Sequence, residues 1–123
     1  MTQFRWDILG TGNIASSMAE ALALVPDAMC SAVASRTLNK ARAFAERWGI
    51  SRAHGSYDAL LADASIDIVY VATPNACHKD NILAALAAGK HVLCEKPMTL
   101  SASDSAACFE AAEKRGLFLM EAL

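Results

Sequence analysis

Ile8-Leu9-Gly10-Thr11-Gly12-Asn13-Ile14-Ala15 carries the pattern Gly-x-Gly-x-x-Ala, with an apolar run before it and a helix-like run to Val25 after it. In a strand–turn–helix setting, such glycines bind a dinucleotide pyrophosphate. Gly10 is placed to make the tight turn out of the strand. Gly12, lacking a Cβ, lets the backbone come close to a phosphate. Ala15 stands in the third-glycine slot and is small enough for the helix to pack on the strand. The free N–H groups of the helix's first turn, at Asn13 and Ile14, then face the anion with the helix dipole behind them. A tight turn with no ligand is the competing reading of the same glycines.

Outward from this stretch, strand and helix alternate six times. Arg5 to Leu9 reads as the first strand. A helix follows from Asn13 to Val25, its apolar positions Ile14, Met18, Leu22 and Val25 recurring at helical spacing until Pro26 stops it. Met29 to Ala34 is a second strand. Leu38 to Trp48 is a helix whose Leu38, Ala41, Phe44, Ala45 and Trp48 share a face, with Gly49 as its C-terminal stop. Arg52 to Gly55 is a short strand, and Ser56 caps a short helix over Tyr57 to Leu61. Ile66 to Ala72 is β-branched and apolar, the clearest strand of all. Cys77 to Ala88 is a helix with Ile82, Leu83, Leu86 and Ala87 inward. His91 to Cys94 is the fifth strand. Ser101 and Asp104 form a capping box for a helix running to Arg115, closed by Gly116. A sixth strand starts over Leu117 to Met120. Continuous apolar strands separated by helices predict an α/β fold: a doubly wound parallel sheet of strand order 3-2-1-4-5-6 between two helix layers, one domain over residues 1–123.

Composition narrows the classes of function. A formal net charge of −2 offers no attraction for nucleic acid or an anionic membrane surface. No apolar run reaches the ~18 residues that span a bilayer, and Met1 to Asp7 lacks the apolar segment of a signal peptide. The expectation is a soluble, cytoplasmic protein. The four cysteines, Cys30, Cys77, Cys94 and Cys108, show neither a C-x-x-C pair nor metal spacing, so they are expected to be reduced and structural, with no metal bound.

The loops after strands 1, 2, 4 and 5 all fall at one edge of such a sheet. An Asp or Glu about 20 residues past the glycines would accept from the ribose 2′-OH of NAD. Here the chain has Ser35 and Arg36, with Lys40 a turn further on. A hydroxyl and cations suit a 2′-phosphate, so NADP is the expected cofactor and NAD the second choice. Thr73-Pro74-Asn75 and His78 follow strand 4, and Glu95-Lys96-Pro97 follows strand 5. Lys96, just beyond a buried strand and beside Pro97, can donate to a substrate hydroxyl or polarise a carbonyl. His78 reads either as a cofactor or substrate contact or as a capping or surface residue; His54 and His91 read as structural.

With these residues in view, the chain resembles the N-terminal domain of the Gfo/Idh/MocA family, which includes glucose–fructose oxidoreductase and inositol dehydrogenase. The resemblance rests on Gly10 to Ala15, Ala34-Ser35-Arg36, Ala72-Thr73-Pro74-Asn75 with His78, and Gly89 to Pro97. The ending Phe118-Leu119-Met120-Glu121-Ala122-Leu123 is similar to the dihydrodiol dehydrogenase and NADP-dependent xylose dehydrogenase branch. The resemblance implies an NAD(P)-dependent oxidoreductase passing a hydride between nicotinamide and a sugar, polyol or diol. It implies that Lys96 is the catalytic lysine. Glu95 and Pro97 would line the cofactor site, and Thr73, Pro74, Asn75 and His78 would flank the nicotinamide and its ribose.

Family members continue into a second domain that supplies most of the substrate pocket. The chain is therefore expected to be the cofactor domain of a longer enzyme, binding cofactor with little or no turnover. It is also expected to self-associate through the uncovered side near the sixth strand. A nucleotide-sensing module without catalysis, and a βα domain with no ligand, remain the alternatives.

Overall fold

Apolar residues alternate along the central strands between two cores. In the second strand Ala32 and Ala34 face one core while Val33 faces the other; in the fourth, Val69 and Val71 face the first and Tyr70 the second. A strand buried on both faces must carry apolar side chains in both directions, which is why the pattern is continuous. The computed structural model describes residues 3–122; Met1, Thr2 and Leu123, with the two ends of the expected domain and the last residue of the family-like ending, lie outside them. The strands are β1 (Phe4–Leu9), β2 (Ala28–Ala34), β3 (Arg52–His54), β4 (Ile68–Val71), β5 (His91–Cys94) and β6 (Leu119–Glu121). The helices are α1 (Asn13–Ala23), α2 (Leu38–Trp48), α3 (Tyr57–Leu61), α4 (His78–Ala87) and α5 (Ala102–Arg115). All five strand pairings are parallel, in the order β3-β2-β1-β4-β5-β6. The order reverses between β1 and β4, which opens a crevice at the carboxyl edge there.

Helices α1 and α2 cover one face over Ile8, Val33 and Tyr70; α3, α4 and α5 cover the other over Leu9, Val71, Val92 and Leu119. The caps follow from local chemistry. Ser56 and Ser101 accept from the backbone N–H groups of Ala59 and Asp104, while Gly49 and Gly116 end α2 and α5 in the left-handed conformation. Only half of the expected capping box is used, since the Asp104 carboxylate pairs with Lys79 at 3.0 Å.

Several expected boundaries shift, each for a physical reason. Helix α1 stops at Ala23 because Leu24 and Val25 already make tighter bonds to Ala21 and Leu22 ahead of Pro26. Its buried stripe is Ala15, Ala19 and Leu22, not Ile14 and Val25, which are exposed. Small side chains let this helix lie close to the sheet. A 3-10 turn at Asn75–Cys77 leads into α4, which starts at His78, one residue later than expected. Ala85 rather than Ala87 faces the core there, and Leu83 is half-buried. Strand β4 is shorter than the Ile66–Ala72 run. Strand β6 begins two residues late because the Leu117 N–H still closes α5 by bonding to Ala112. All four cysteines are free, and burial pushes the Cys30 and Cys94 thiols up to about 12. Among the described residues no group of His, Cys, Asp and Glu could hold a metal ion, and no helix is long and apolar enough to cross a membrane.

One residue in the first strand breaks the pattern. Asp7 is fully buried, and neither carboxylate oxygen has a hydrogen-bond partner. It lies where β1 slips register against β2, opposite the inserted Ser31. Burial holds its carboxyl protonated well above the usual carboxylate range, against the opposing pull of Lys90. The folded chain therefore binds a proton that the unfolded chain has released above pH 4 or so, and stability falls as pH rises from there towards the raised value. Asp7→Asn is expected to raise Tm at pH 7 by about 4 °C or more, and the gain should shrink as pH approaches 4. Thermal unfolding of both chains between pH 4 and 8 checks this; a pH-independent difference would contradict it.

Candidate functional site

The glycine turn is built by close approach of two strands' ends. Gly10 has φ +108°, and a Cβ there would meet the Ala72 carbonyl oxygen at 2.7 Å. Its N–H bonds to Ala34 O at 2.9 Å, and Ala72 N–H bonds to Leu9 O at 2.9 Å. The turns after β1, β2 and β4 are thus tied into one rim. Gly12 differs: a Cβ there would find nothing within 4 Å. It is the N-cap of α1, with no side-chain cap and no acidic residue in the first turn. The helix's leading N–H groups are left for an anion arriving from outside.

These turns enclose a cleft of about 950 Å³. Gly10, Gly12, Asn13, Ser35, Arg36, Lys40, Thr73 and Pro74, all expected site residues, line it. Arg36, Lys40 and Arg47 put three cations on the wall, and no carboxylate lines it. Open backbone at Gly12, uncapped N–H groups and a cationic wall fit a dinucleotide bearing phosphates. Ser35 is buried, and its hydroxyl accepts weakly from Thr37 N–H at 3.5 Å, shaping the turn that carries Arg36.

The remaining expected residues, Ile14, Asn75, His78, Glu95, Lys96 and Pro97, lie outside the cleft's lining. Ile14 is on the exposed side of α1, and Asn75 is exposed in the 3-10 turn. His78 is fully buried, with Nδ1 2.8 Å from Pro97 O and Nε2 2.9 Å from Thr73 O. It clasps the β4 turn to the β5 turn, and is neither a cap nor a surface residue. The Thr73 side chain is buried too, donating to Asn81 Oδ1. Glu95 is not a partner for Lys96. It accepts a 2.5 Å bond from the Tyr70 hydroxyl, and burial, with that bond second, holds the phenol's pKa raised. Lys96 is exposed rather than buried, followed by a cis bond to Pro97. Glu121 on β6 accepts from Met98 N–H at 2.7 Å. The Glu95–Met98 turn is therefore held from β4, α4 and β6, with the Lys96 amine left free to reach outward.

Sequence reasoning missed Ser16, Arg47 and Tyr57 in the cleft wall. Arg47 was legible, since Lys40, Ala43, Phe44 and Arg47 share one face of α2 at helical spacing. Its guanidinium lies 4.9 Å from the Trp48 ring centroid. Tyr57 follows β3, whose end lies at the same edge as the other loops.

The two glycines separate structure from binding. Gly10→Ala is expected to lower Tm by about 10 °C, because a strained φ and a clash with fixed backbone combine. Gly12→Ala should leave Tm within about 2 °C, since the methyl meets open space, yet weaken NADP binding at least about tenfold by blocking the phosphate. Melting curves with and without NADP distinguish the two. Equal effects on fold and binding would refute the distinction.

Comparison with known proteins agrees with this geometry. Residues 4–123 match the model of an oxidoreductase family with an NAD-binding Rossmann fold. The chain is 41% identical over 121 residues to trans-1,2-dihydrobenzene-1,2-diol dehydrogenase of Mus musculus, covering 97% of this chain and 36% of that protein. It is 46% identical over 115 residues to D-xylose 1-dehydrogenase (NADP(+)) 2 of Haloferax volcanii, covering 94% and 35%. Among solved structures, KijD10, a 3-ketoreductase from Actinomadura kijaniata in complex with NADP and TDP-benzene, superposes with a TM-score of 0.93 at 39% identity, over 98% of this chain and 37% of that one. The chain spans about a third of the length of these relatives. With the glycine turn, the sheet order and the matched length in agreement, the chain belongs to the oxidoreductase family whose NAD-binding domain is a Rossmann fold.

Proposed function

We propose that these residues are the NADP-binding domain of a dehydrogenase acting on the CH–OH group of a sugar, polyol or diol. The observation that carries this reading is the cleft wall after β2, where Ser35, Arg36 and Lys40 stand and no carboxylate lines the pocket. A carboxylate there would repel a 2′-phosphate; a guanidinium and an amine pair with it. The xylose dehydrogenase relative is named for NADP(+), and KijD10 was crystallised with NADP.

The division of labour follows the geometry. Gly10, Gly12 and the first N–H groups of α1, at Asn13 and Ile14, hold the pyrophosphate. Ser35, Arg36 and Lys40 hold the adenosine ribose and its 2′-phosphate. The backbone of Thr73, Pro74 and Asn75 flanks the nicotinamide ribose. His78 keeps that loop against Pro97, and Tyr70 keeps Glu95 in place. Lys96, the proposed catalytic residue, donates to the hydroxyl or carbonyl oxygen of the substrate. When bound, nicotinamide supplies or accepts the hydride. The 123 residues alone bind cofactor and turn over substrate slowly or not at all, since they span only about a third of the relatives' length.

The test is ligand-dependent melting. NADP at about 100 times its Kd should raise Tm by about 10 °C, with NAD giving less at equal concentration. Arg36→Ala should weaken NADP about tenfold and leave NAD unchanged. Unchanged discrimination would remove the NADP assignment, and steady-state dehydrogenase activity from these residues alone would overturn the claim of little turnover.

The β6 edge also carries a consequence. No helix of the described residues covers β5 and β6 on the α1 side, where Leu93 is half-buried and Met120 is 60% exposed. Phe118, beside them, is 72% exposed. An edge strand with bare apolar side chains pairs with a second copy. Sedimentation should show mass rising with concentration, and Met120→Lys should return the chain to monomer. A monomer at every concentration would contradict this.

A further inference from the structure

His78 opens α4 with both ring nitrogens against carbonyl oxygens, Nδ1 2.8 Å from Pro97 O and Nε2 2.9 Å from Thr73 O. A carbonyl oxygen can only accept. A neutral imidazole has one N–H, so it can serve one of these oxygens and must turn a lone pair on the other. Both distances are those of hydrogen bonds, not of two lone pairs in contact. The ring is fully buried, and the turns and loops give neither carbonyl another donor. The ring that satisfies both oxygens is the doubly protonated one, the imidazolium. A buried charge is tolerated where it is hydrogen-bonded in this way. The dipole of α4 opposes a cation at its first residue, but two charge-assisted bonds outweigh it. His91 shows the contrast: its Nδ1 accepts from Phe118 N–H at 3.0 Å, so that nitrogen carries no proton.

The position of this charge gives it a use. Thr73 and Pro74 line the cleft. His78 stands directly behind Thr73, whose hydroxyl is also tied to α4 through Asn81. Its second bond holds the turn that carries Lys96. Resting on the reading that the Thr73 loop flanks the nicotinamide ribose, we propose that His78 is a buried imidazolium whose charge biases the site towards the reduced cofactor. The oxidised nicotinamide ring carries a positive charge and the reduced ring carries none. A fixed cation across the Thr73 backbone repels the first and not the second, and burial leaves that repulsion little screened by salt. His78 is thus a positioning residue for both loops and a determinant of which redox form is held. Arg36 and Lys40 make no such distinction, because the 2′-phosphate assigned to them is the same in both forms.

Nitrogen NMR of the histidine side chains and calorimetric titration of the 123-residue chain test this. At neutral pH both His78 ring nitrogens, assigned by through-space contact with Thr73, should carry protons, while His91 shows one bare nitrogen. The unmutated chain should bind NADPH more tightly than NADP. His78→Gln, a neutral side chain, should narrow that ratio by about fivefold. A purely structural role would weaken both forms alike and leave the ratio where it was. A bare nitrogen on His78, or a ratio unmoved in His78→Gln, overturns the proposal while leaving the NADP reading intact. Failure of the unmutated chain to bind either form overturns that reading and the redox bias with it. Melting without ligand reports folding of the variant. If His78→Gln does not fold, the unmutated chain decides alone: a bare His78 nitrogen or equal affinities for NADPH and NADP overturn the proposal.

Discussion

At Gly10 the backbone passes so close to the Ala72 carbonyl that no side chain fits between them. That contact sets the rest of the site. It brings the end of β1 against the end of β4, across the point where the sheet's order reverses. Because the Gly10 N–H also bonds to Ala34 O, the β2 end joins the same rim. Open space at Gly12, the cations after β2 and the Thr73–Pro74 backbone are then held around one cleft by backbone contacts. Preorganisation of this kind lowers the ordering cost of binding.

The Lys96 turn depends on a different set of constraints. Three side chains from three elements reach it: Tyr70 from β4, His78 from the start of α4 and Glu121 from β6. Tyr70 and His78 are buried polar groups that would be costly to leave unpaired, while Glu121 reaches the turn from an exposed position. The turn is thereby rigid while the Lys96 side chain is free. Glu95, the carboxylate next to Lys96 in the chain, is engaged by the Tyr70 hydroxyl at 2.5 Å, and Lys96 is exposed.

How much of this could be read in advance varies with the physics behind each feature. The order of strands was legible because continuous apolar runs separated by helices admit a parallel doubly wound sheet and few other solutions. The α2 and α5 stops were legible because Gly49 and Gly116 suit a conformation that other residues avoid. The inward stripe of α1 was legible only in part: the glycine motif placed Ala15 against the strand and periodicity found Leu22, but periodicity also pointed to the exposed Ile14 and Val25 and passed over Ala19. Asp7 was hidden for the opposite reason. Inside an apolar strand a lone carboxylate reads as a surface residue, and only the packing shows it buried without a partner.

The sequence by itself determined the α/β class, the glycine turn and its helix, and the cations after β2, because each rests on residue types and local spacing. Only the tertiary structure decided which side chains meet. That Glu95 turns to Tyr70 rather than to Lys96, that His78 is a buried clasp between two loops, and that Tyr57 shares the cleft wall with Arg36 all depend on contacts between residues distant in the chain. Local pattern carries no information about such contacts; they are set by which strand lies next to which and by how closely small residues let the layers approach.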